Sequence, residues 1–144
     1  MNTKGVFSHK TDEWSTPDDF FQKLNYQFHF TLDPCCTHEN AKCAKHYTIE
    51  ENGLLQSWEN EIVFCNPPYS NVYEWLKKAA YEKALTVCLL PSRTGTKWFH
   101  ECVLNGCCSF RFLRGRLKFG NSKNYAPFDS LLVVYDNLQL FKCE

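Results

Sequence analysis

The sequence lacks the features of a membrane or exported protein. Its longest apolar runs fall far short of the roughly 20 residues that a spanning helix needs. Residues 1–20 contain no apolar stretch of the kind found in signal peptides. We therefore expect a cytoplasmic protein without a membrane-spanning helix or an export signal.

Paired metal-binding spacings are also missing. The nine cysteines include no C-x-x-C pair, although nine is a high number for 144 residues. Structural zinc sites usually depend on such pairs, so we expect no metal. An odd count without an export signal argues against a disulfide framework. We expect reduced thiols, most of them acting as small hydrophobic core residues.

A net charge is absent as well, because 16 basic residues balance 16 acidic ones. A neutral total argues against a nucleic-acid partner. The charge is unevenly distributed, however: residues 91–125 hold seven basic residues and one acidic residue, whereas residues 1–60 hold five basic and nine acidic ones. The basic segment can supply phosphate contacts within a neutral protein, and a merely solvated charged face is the alternative.

Hydrophobic residues make up 44% of the chain and aromatic residues 16%, enough for a substantial core. The sequence contains no repeat, low-complexity tract or linker. This length and composition predict a single domain over residues 1–144, with residues 1–11 as a flexible N-terminal segment.

Hydrophobic periodicity and turn signals predict alternating strands and helices. The predicted helices cover residues 16–25, 37–45, 71–83 and 96–104, and the predicted strands cover 28–32, 47–49, 62–65, 85–90, 110–113 and 131–135. This alternation predicts an α/β fold with a mostly parallel sheet and helices on both faces. In such sheets ligands bind beyond the carboxyl ends of the strands, which directs attention to Asp33, Asn66 and the segment 91–94.

The four residues Asn66-Pro67-Pro68-Tyr69 follow a buried strand and carry the strongest chemical signal. An exocyclic amine on a base is a poor nucleophile, because its lone pair is delocalised into the ring. The Asn66 side-chain oxygen and the Pro67 carbonyl can accept its two hydrogens and direct the lone pair at a methyl donor. The prolines stiffen the loop, and Tyr69 offers a ring for stacking on a base taken out of a duplex. This pattern predicts catalysis by positioning, without a covalent intermediate.

The chain resembles the small phage and prophage DNA N-6-adenine methyltransferase family, and Asn66 to Tyr69 resemble the catalytic motif of S-adenosylmethionine-dependent amino-methyltransferases. The matching stretches are residues 12–17, 31–35, 40–43, 53–54 with Trp58, 64–70, 90–94, 98–99, 114–119 and 126–128. The resemblance implies a compact Rossmann-like methyltransferase fold. It also implies transfer of a methyl group from S-adenosylmethionine to the 6-amino group of adenine in DNA, in a double strand with the target adenine flipped out. A phage-encoded enzyme would act in the bacterial cytoplasm.

The resemblance also implies roles for individual residues. Asp33 would take the methionine amine of the cofactor. Glu50 and Glu51 both lie about 20 residues past Asp33, where a ribose-binding acid is expected, and Glu50 is slightly preferred. The implied cofactor-binding residues are Trp14, Thr16, Pro17, Asp33, Pro34, Cys35 and Glu50. The implied catalytic residues are Asn66, Pro67, Pro68 and Tyr69, and the implied nucleic-acid-binding residues are Arg93, Arg114, Arg116 and Lys118. One departure from the pattern is the loop after Asp33, which has no glycine.

Two alternatives remain open from the sequence. The same four-residue motif serves methylation of other planar amines, namely an adenine in RNA, a cytosine or a protein glutamine, although the basic segment favours nucleic acid. The protein could instead be a non-catalytic phage factor that binds DNA or a host enzyme, an alternative motivated by the missing glycine.

Overall fold

The computed structural model describes residues 14–141, so most of the predicted single domain is covered, while the predicted flexible segment 1–11 lies outside the described residues. Helix α1 spans Asp18–Phe28 and helix α2 spans Val72–Tyr81. The strands are β1 (Ile62–Cys65), β2 (Leu85–Pro91), β3 (Ser109–Phe112) and β4 (Ser130–Asp136). Short 3₁₀ turns cover Gly53–Leu55 and Tyr69–Asn71, and a π-helix covers Phe99–Leu104.

The four strands form one sheet in the order β1-β2-β4-β3. Strands β1 and β2 are parallel, whereas β4 runs antiparallel to both β2 and β3. The prediction of a mostly parallel sheet is therefore wrong, and the fold is α/β with a mixed sheet. A parallel pairing needs a crossover that returns the chain to the opposite end of the sheet. The segment 113–129 between β3 and β4 contains no helix, and the chain turns back from the same edge.

The predictions for residues 28–49 also need correction. In place of strands over 28–32 and 47–49, the structure has two isolated parallel bridges, Leu32 to Val63 and Asp33 to His46. Residues 37–45 form turns and bends instead of a helix. The Thr37 amide donates to the Asn40 side chain, and the Asn40 amide donates to the Thr37 hydroxyl. Such side-chain bonds compete with the helical backbone pattern.

Helices pack on both faces of the sheet, as predicted. Because side chains alternate along a strand, Val63 and Cys65 of β1 join the cluster beneath α2 and the π-helix, while Phe64 joins the cluster beneath α1. Trp58 is fully buried in the first cluster. These two apolar layers fix the position of β1 and of the loop that follows it.

The topology brings several loops to one edge of the sheet. β1, β2 and β3 point the same way, so their carboxyl ends meet there, together with the amino end of β4. The Leu32 bridge adds Asp33 to this edge beside β1. The edge therefore carries Asp33, the loop beginning at Asn66, the turn containing Arg93, and the β3–β4 connection (residues 113–129).

The eight described cysteines are all free thiols, in line with the expected reduced state. Cys65 and Cys88 are buried in the core, and Cys35, Cys43, Cys102 and Cys108 are partly buried and pack against it, so most of the described cysteines contribute to the core as predicted. Several of the others lie in loops, where their side chains are only partly covered. Within residues 14–141, no three or more His, Cys, Asp or Glu side chains are grouped so that they could hold a metal ion. No helix of this part of the chain is long and apolar enough to cross a membrane.

Candidate active site

A cleft of about 680 Å³ opens at this edge of the sheet. It brings together eight of the residues predicted from the sequence: Trp14, Thr16, Asp33, Pro34, Cys35, Glu50, Asn66 and Pro68. Residues more than 50 positions apart in the chain thus share one cavity. Its volume lies in the range of small-molecule and cofactor sites.

Asn66 follows the last residue of β1, and its side chain lies in the cleft wall. Its Nδ2 group donates one hydrogen bond to the Trp14 carbonyl oxygen and another, of 3.0 Å, to the Thr16 hydroxyl. A backbone carbonyl can only accept, so this contact fixes which end of the amide carries the hydrogens. The Oδ1 atom is buried and has no partner. An oriented, unpartnered acceptor at this position is suited to binding an N–H donor of a ligand.

Tyr69 lies behind the cleft rather than in its lining. Its side chain is buried, and its hydroxyl has no hydrogen-bond partner. Burial raises the pKa of this hydroxyl above its ordinary value, which the positive charge of Arg93 partly opposes. The ring is nearly parallel to that of Trp14 and nearly perpendicular to that of Phe128. Tyr69 is therefore a neutral aromatic surface within an aromatic cluster.

Asp33 is the buried carboxylate of the cleft. One of its oxygens accepts from the Lys42 amide at 2.9 Å and the other from the Cys35 amide at 3.3 Å. Burial raises the pKa of Asp33 to about 6, although these two hydrogen bonds oppose the shift. Each oxygen has a second lone pair, so the group can still accept from a cationic amine.

The segment Trp14–Thr16 is held from three directions. The Asn66 amide binds the Trp14 carbonyl and the Thr16 hydroxyl, and the Asn40 side chain donates to the Ser15 hydroxyl at 3.0 Å. The Gly120 amide, from the β3–β4 connection, donates to the Ser15 carbonyl at 2.8 Å. This short segment therefore joins the loop after Asp33, the loop after β1 and the β3–β4 connection.

The glycine missing after Asp33 has a counterpart at Gly53. A Cβ at this position would lie 2.0 Å from the Pro34 carbonyl oxygen. Close approach of the two backbones beside the cleft thus requires glycine at position 53. The Trp58 indole donates to the Gly53 carbonyl at 3.0 Å and holds this arrangement.

Of the two candidate ribose-binding acids, Glu50 lines the cleft and is exposed. Glu51 does not line it, because its carboxylate accepts from the amide and the hydroxyl of Thr48. These hydrogen bonds lower the pKa of Glu51. The neighbouring Ile49 is 92% exposed and also lines the cleft, so an apolar and an acidic side chain stand together at its rim.

Sequence reasoning missed several residues of the cleft. Ser15, Thr37, Asn40 and Lys42 line it, as does Trp75. The first four lie in irregular segments, where no periodicity reveals which side chains face inward. The Asn52-Gly53 turn signal marked the position of Gly53 but not its packing role.

Other predicted residues lie outside the cleft. Pro17 precedes α1 and Pro67 is buried, and neither lines the cavity. The basic residues Arg93, Arg114, Arg116 and Lys118 are all exposed, in loops at the same edge of the sheet. Arg116 forms an ion pair with Asp129 at 2.9 Å, and the Lys118 ammonium lies 4.7 Å from the centre of the Tyr125 ring. The cleft and these cations thus occupy one edge but form separate surfaces.

Comparison with known proteins adds a further observation. Residues 4–132 match the family model described as DNA N-6-adenine-methyltransferase (Dam). The chain is 33% identical over 136 residues to a DNA N-6-adenine-methyltransferase of Haemophilus phage HP1, covering 87% of this chain and 79% of that protein. It is 35% identical over 100 residues to a DNA N-6-adenine-methyltransferase of Escherichia phage T1, covering 65% of this chain and 42% of that protein.

Proposed function

The chain belongs to the DNA N-6-adenine-methyltransferase family, and on that premise we propose that its cleft binds S-adenosylmethionine while Asn66 positions the target amine. The protein is an adenine-specific DNA methyltransferase, which requires a methyl donor and DNA as substrates. The observation that carries the assignment of the site is the unpartnered Oδ1 atom of Asn66 in the cleft wall.

The residues of the cleft fit S-adenosylmethionine. Asp33 offers a buried carboxylate to the methionine ammonium group, and its pKa of about 6 leaves it mostly ionised at neutral pH. Glu50 offers a carboxylate at the rim for the ribose hydroxyls, and Ile49 offers an apolar surface beside it. Trp14, Thr16, Pro34 and Cys35 complete the wall. When bound, this cofactor supplies a methyl group activated by a sulfonium.

Asn66 then acts on the adenine. Its Oδ1 accepts one hydrogen of the 6-amino group, and the Pro67 carbonyl accepts the other. With both hydrogens held, the nitrogen lone pair leaves conjugation with the ring and points into the cleft. The two hydrogen bonds on Nδ2 keep Oδ1 in place, so the amide needs no rearrangement when positive charge develops on the amine. Pro68 keeps the loop stiff, and the Tyr69 ring stacks on the base.

The exposed cations supply the DNA contacts in this proposal. Arg93, Arg114, Arg116 and Lys118 lie at the edge of the sheet that carries the cleft and would bind phosphates. An adenine paired in a duplex cannot reach Asn66, so the target base leaves a double-stranded substrate before reaction. The mixed sheet with helices on both faces is in this view a compact Rossmann-like methyltransferase fold.

A methylation assay tests the role of Asn66. We expect the wild-type protein to incorporate tritiated methyl groups into unmethylated double-stranded DNA as N6-methyladenine. Asn66→Ala should reduce kcat by about 100-fold or more, since it removes the acceptor that acts on the reacting amine. The control is Asn105→Ala, which changes an exposed residue outside the cleft and should keep full activity. Undiminished incorporation by Asn66→Ala would contradict the proposal.

A further inference from the structure

The hydroxyl of Thr16 is hydrogen-bonded to the side chain of Asn66, and we propose that Thr16 is a positioning residue for methyl transfer. In this role, which rests on the proposed function and deepens it, Thr16 acts through the Asn66 amide and touches neither the methyl donor nor the target base. The family resemblance implies a cofactor contact for Thr16, whereas the hydrogen bond of its hydroxyl points to a contribution to catalysis.

An asparagine amide must be oriented in two respects before its oxygen can accept from a substrate. The oxygen end must face the substrate, and the plane of the amide must be fixed, since a donor binds best near the plane of the C=O group. The Trp14 carbonyl can only accept, so its bond with Nδ2 of Asn66 decides which end faces the substrate. One hydrogen bond leaves the amide free to tilt, and a second contact is needed to fix its plane.

Thr16 provides this second contact. Its hydroxyl accepts from Nδ2 of Asn66 at 3.0 Å, so the NH2 group has two acceptors for its two hydrogens. Thr16 is 4% exposed, which leaves little access for a water molecule that could replace the hydroxyl. The Oδ1 atom at the other end of the amide is buried and has no partner. The hydroxyl therefore sets the direction of the atom that accepts from the target amine.

The neighbouring backbone holds Thr16 itself in place. Thr16 precedes a proline, which restricts it to extended conformations. Pro17 is extended as well and directly precedes the first residue of α1. On the other side, the Ser15 carbonyl accepts from the Gly120 amide and the Ser15 hydroxyl accepts from the Asn40 side chain. Thr16 thus lies between two anchored residues, as a positioning residue must.

A positioning role and a cofactor role predict different kinetic changes. Asp33, the proposed partner of the methionine ammonium group, is held by the amides of Cys35 and Lys42. Substitution of Thr16 leaves these two hydrogen bonds intact, so the proposed ammonium contact is kept. Loss of a positioning residue should lower kcat, whereas loss of a cofactor contact should raise the Kd for S-adenosylmethionine.

Thr16→Val tests the proposal, because valine has nearly the shape of threonine and lacks the hydroxyl. We expect kcat for methylation of unmethylated double-stranded DNA to fall about tenfold, from loss of one hydrogen bond to the Asn66 amide. The KM for DNA and the Kd for S-adenosylmethionine, measured by calorimetry, should stay within about threefold of the wild-type values. Thr16→Ser keeps the hydroxyl and should restore most of kcat. Should valine destabilise the protein, Thr16→Ala removes the hydroxyl without added bulk and should show the same loss.

A double-mutant cycle shows whether Thr16 acts through Asn66. The residual activity of Asn66→Ala is measured with excess enzyme, and Thr16→Val is then added to this variant. We expect the second substitution to change kcat by less than about twofold, since the amide that Thr16 orients is gone. A further tenfold loss in this background would overturn the inference, because Thr16 would then act independently of Asn66.

The matched control is Thr86→Val, which makes the same substitution in β2 outside the cleft. Thr86 is fully buried and its hydroxyl has no partner, so kcat should not change. An unchanged kcat in Thr16→Val would overturn the inference, and a raised Kd for the cofactor would then assign Thr16 to cofactor binding. Failure of the proposed function would look different: the wild-type protein itself would not bind S-adenosylmethionine or methylate DNA.

Discussion

Asp33 shows how burial prepares a side chain for one ligand. The pKa of its carboxyl is raised to about 6 by burial, above the ordinary value of 3.8. Ionised Asp33 therefore destabilises the folded protein at neutral pH, and this cost decreases as the pH falls below 6 and is gone below the ordinary pKa of 3.8. A bound ammonium group would offset the same cost, so in the proposed function cofactor binding would compete with protonation of Asp33.

We therefore predict that S-adenosylmethionine binds more weakly in acid. Below pH 6 its affinity should fall by up to about tenfold per pH unit, because only ionised Asp33 attracts the ammonium group. Calorimetry between pH 5 and pH 7 measures this dependence. Asp33→Asn is the matched variant, and it should bind weakly with a flat profile. A wild-type affinity that does not change across this range would show that Asp33 does not hold the amine. His46 is bridged to Asp33 and its charge lowers the pKa of Asp33, so the asparagine variant also separates the contribution of this neighbour.

At the residue scale, the sequence predicted the groups with distinctive chemistry and missed the groups that hold them. Asn66 and Asp33 were found because each follows an apolar run and precedes a proline. Asn40 and Gly120 were not found, although both bind Ser15. Each contacts a residue that is 25 or more positions away in the chain, and no local sequence pattern predicts such a contact.

Secondary-structure elements position the site mainly through their ends. Strand β1 ends at Cys65 and delivers Asn66, while the 3₁₀ turn at Gly53–Leu55 brings its backbone against Pro34. Gly53, in the turn that faces Pro34, thus takes the place of the glycine that is missing from the loop after Asp33. The close approach is kept, and the cleft wall depends on it.

Gly53→Ala should accordingly destabilise the cleft wall. The added Cβ would meet the Pro34 carbonyl oxygen at 2.0 Å, and backbone atoms have little room to move. We expect a loss of about 1–3 kcal/mol in the free energy of unfolding, measured by chemical denaturation, together with weaker cofactor binding. Gly95→Ala is the control, because nothing lies within 4 Å of its Cβ position. Equal stability of the two variants would refute the packing role of Gly53.

At the element scale, the helices and strands that were predicted correctly are those with a strong local hydrophobic pattern. Helices α1 and α2 and strands β1, β2, β3 and β4 were predicted within a few residues, because each has a clear apolar face or run. Residues 28–49 were misassigned, since side chains of Asp33, Thr37 and Asn40 take the backbone amides there. The direction of β4 was also missed, because hydrophobic periodicity is the same whichever way a strand runs.

Across the whole molecule, the equal numbers of acidic and basic residues are unevenly distributed, with more acidic than basic residues in the cleft wall and more basic than acidic residues in the β3–β4 connection. The cleft wall carries Asp33, Glu39 and Glu50, whereas the β3–β4 connection exposes Arg114, Arg116 and Lys118. In the proposed function, the cationic cofactor and the DNA would therefore bind different surfaces of a protein with no net charge. Neutrality of the whole chain is no argument against DNA as a substrate.

The salt dependence of DNA binding tests whether the basic residues of the β3–β4 connection contact DNA phosphates. Arg114→Ala and Lys118→Ala should each make the plot of log K against log salt concentration shallower by about 0.9, the value expected for one lost phosphate contact. Filter binding or fluorescence anisotropy at several salt concentrations measures the slope. Lys83→Ala is the control, because this exposed lysine precedes β2 at the opposite edge of the sheet. A slope equal to wild type in both test variants would place the DNA on another surface.

The attachment of Asn66 to Trp14 and Thr16 also has a consequence for folding. These hydrogen bonds join residues 52 and 50 positions apart, and the Gly120 contact spans the chain from the β3–β4 connection back to Ser15. Contacts of long sequence separation require the most chain entropy to be lost before they form. The pairing of Leu85 in β2 with Asp136 in β4 closes a chain loop of similar length, so orienting the Asn66 amide costs about as much chain entropy as forming the centre of the sheet.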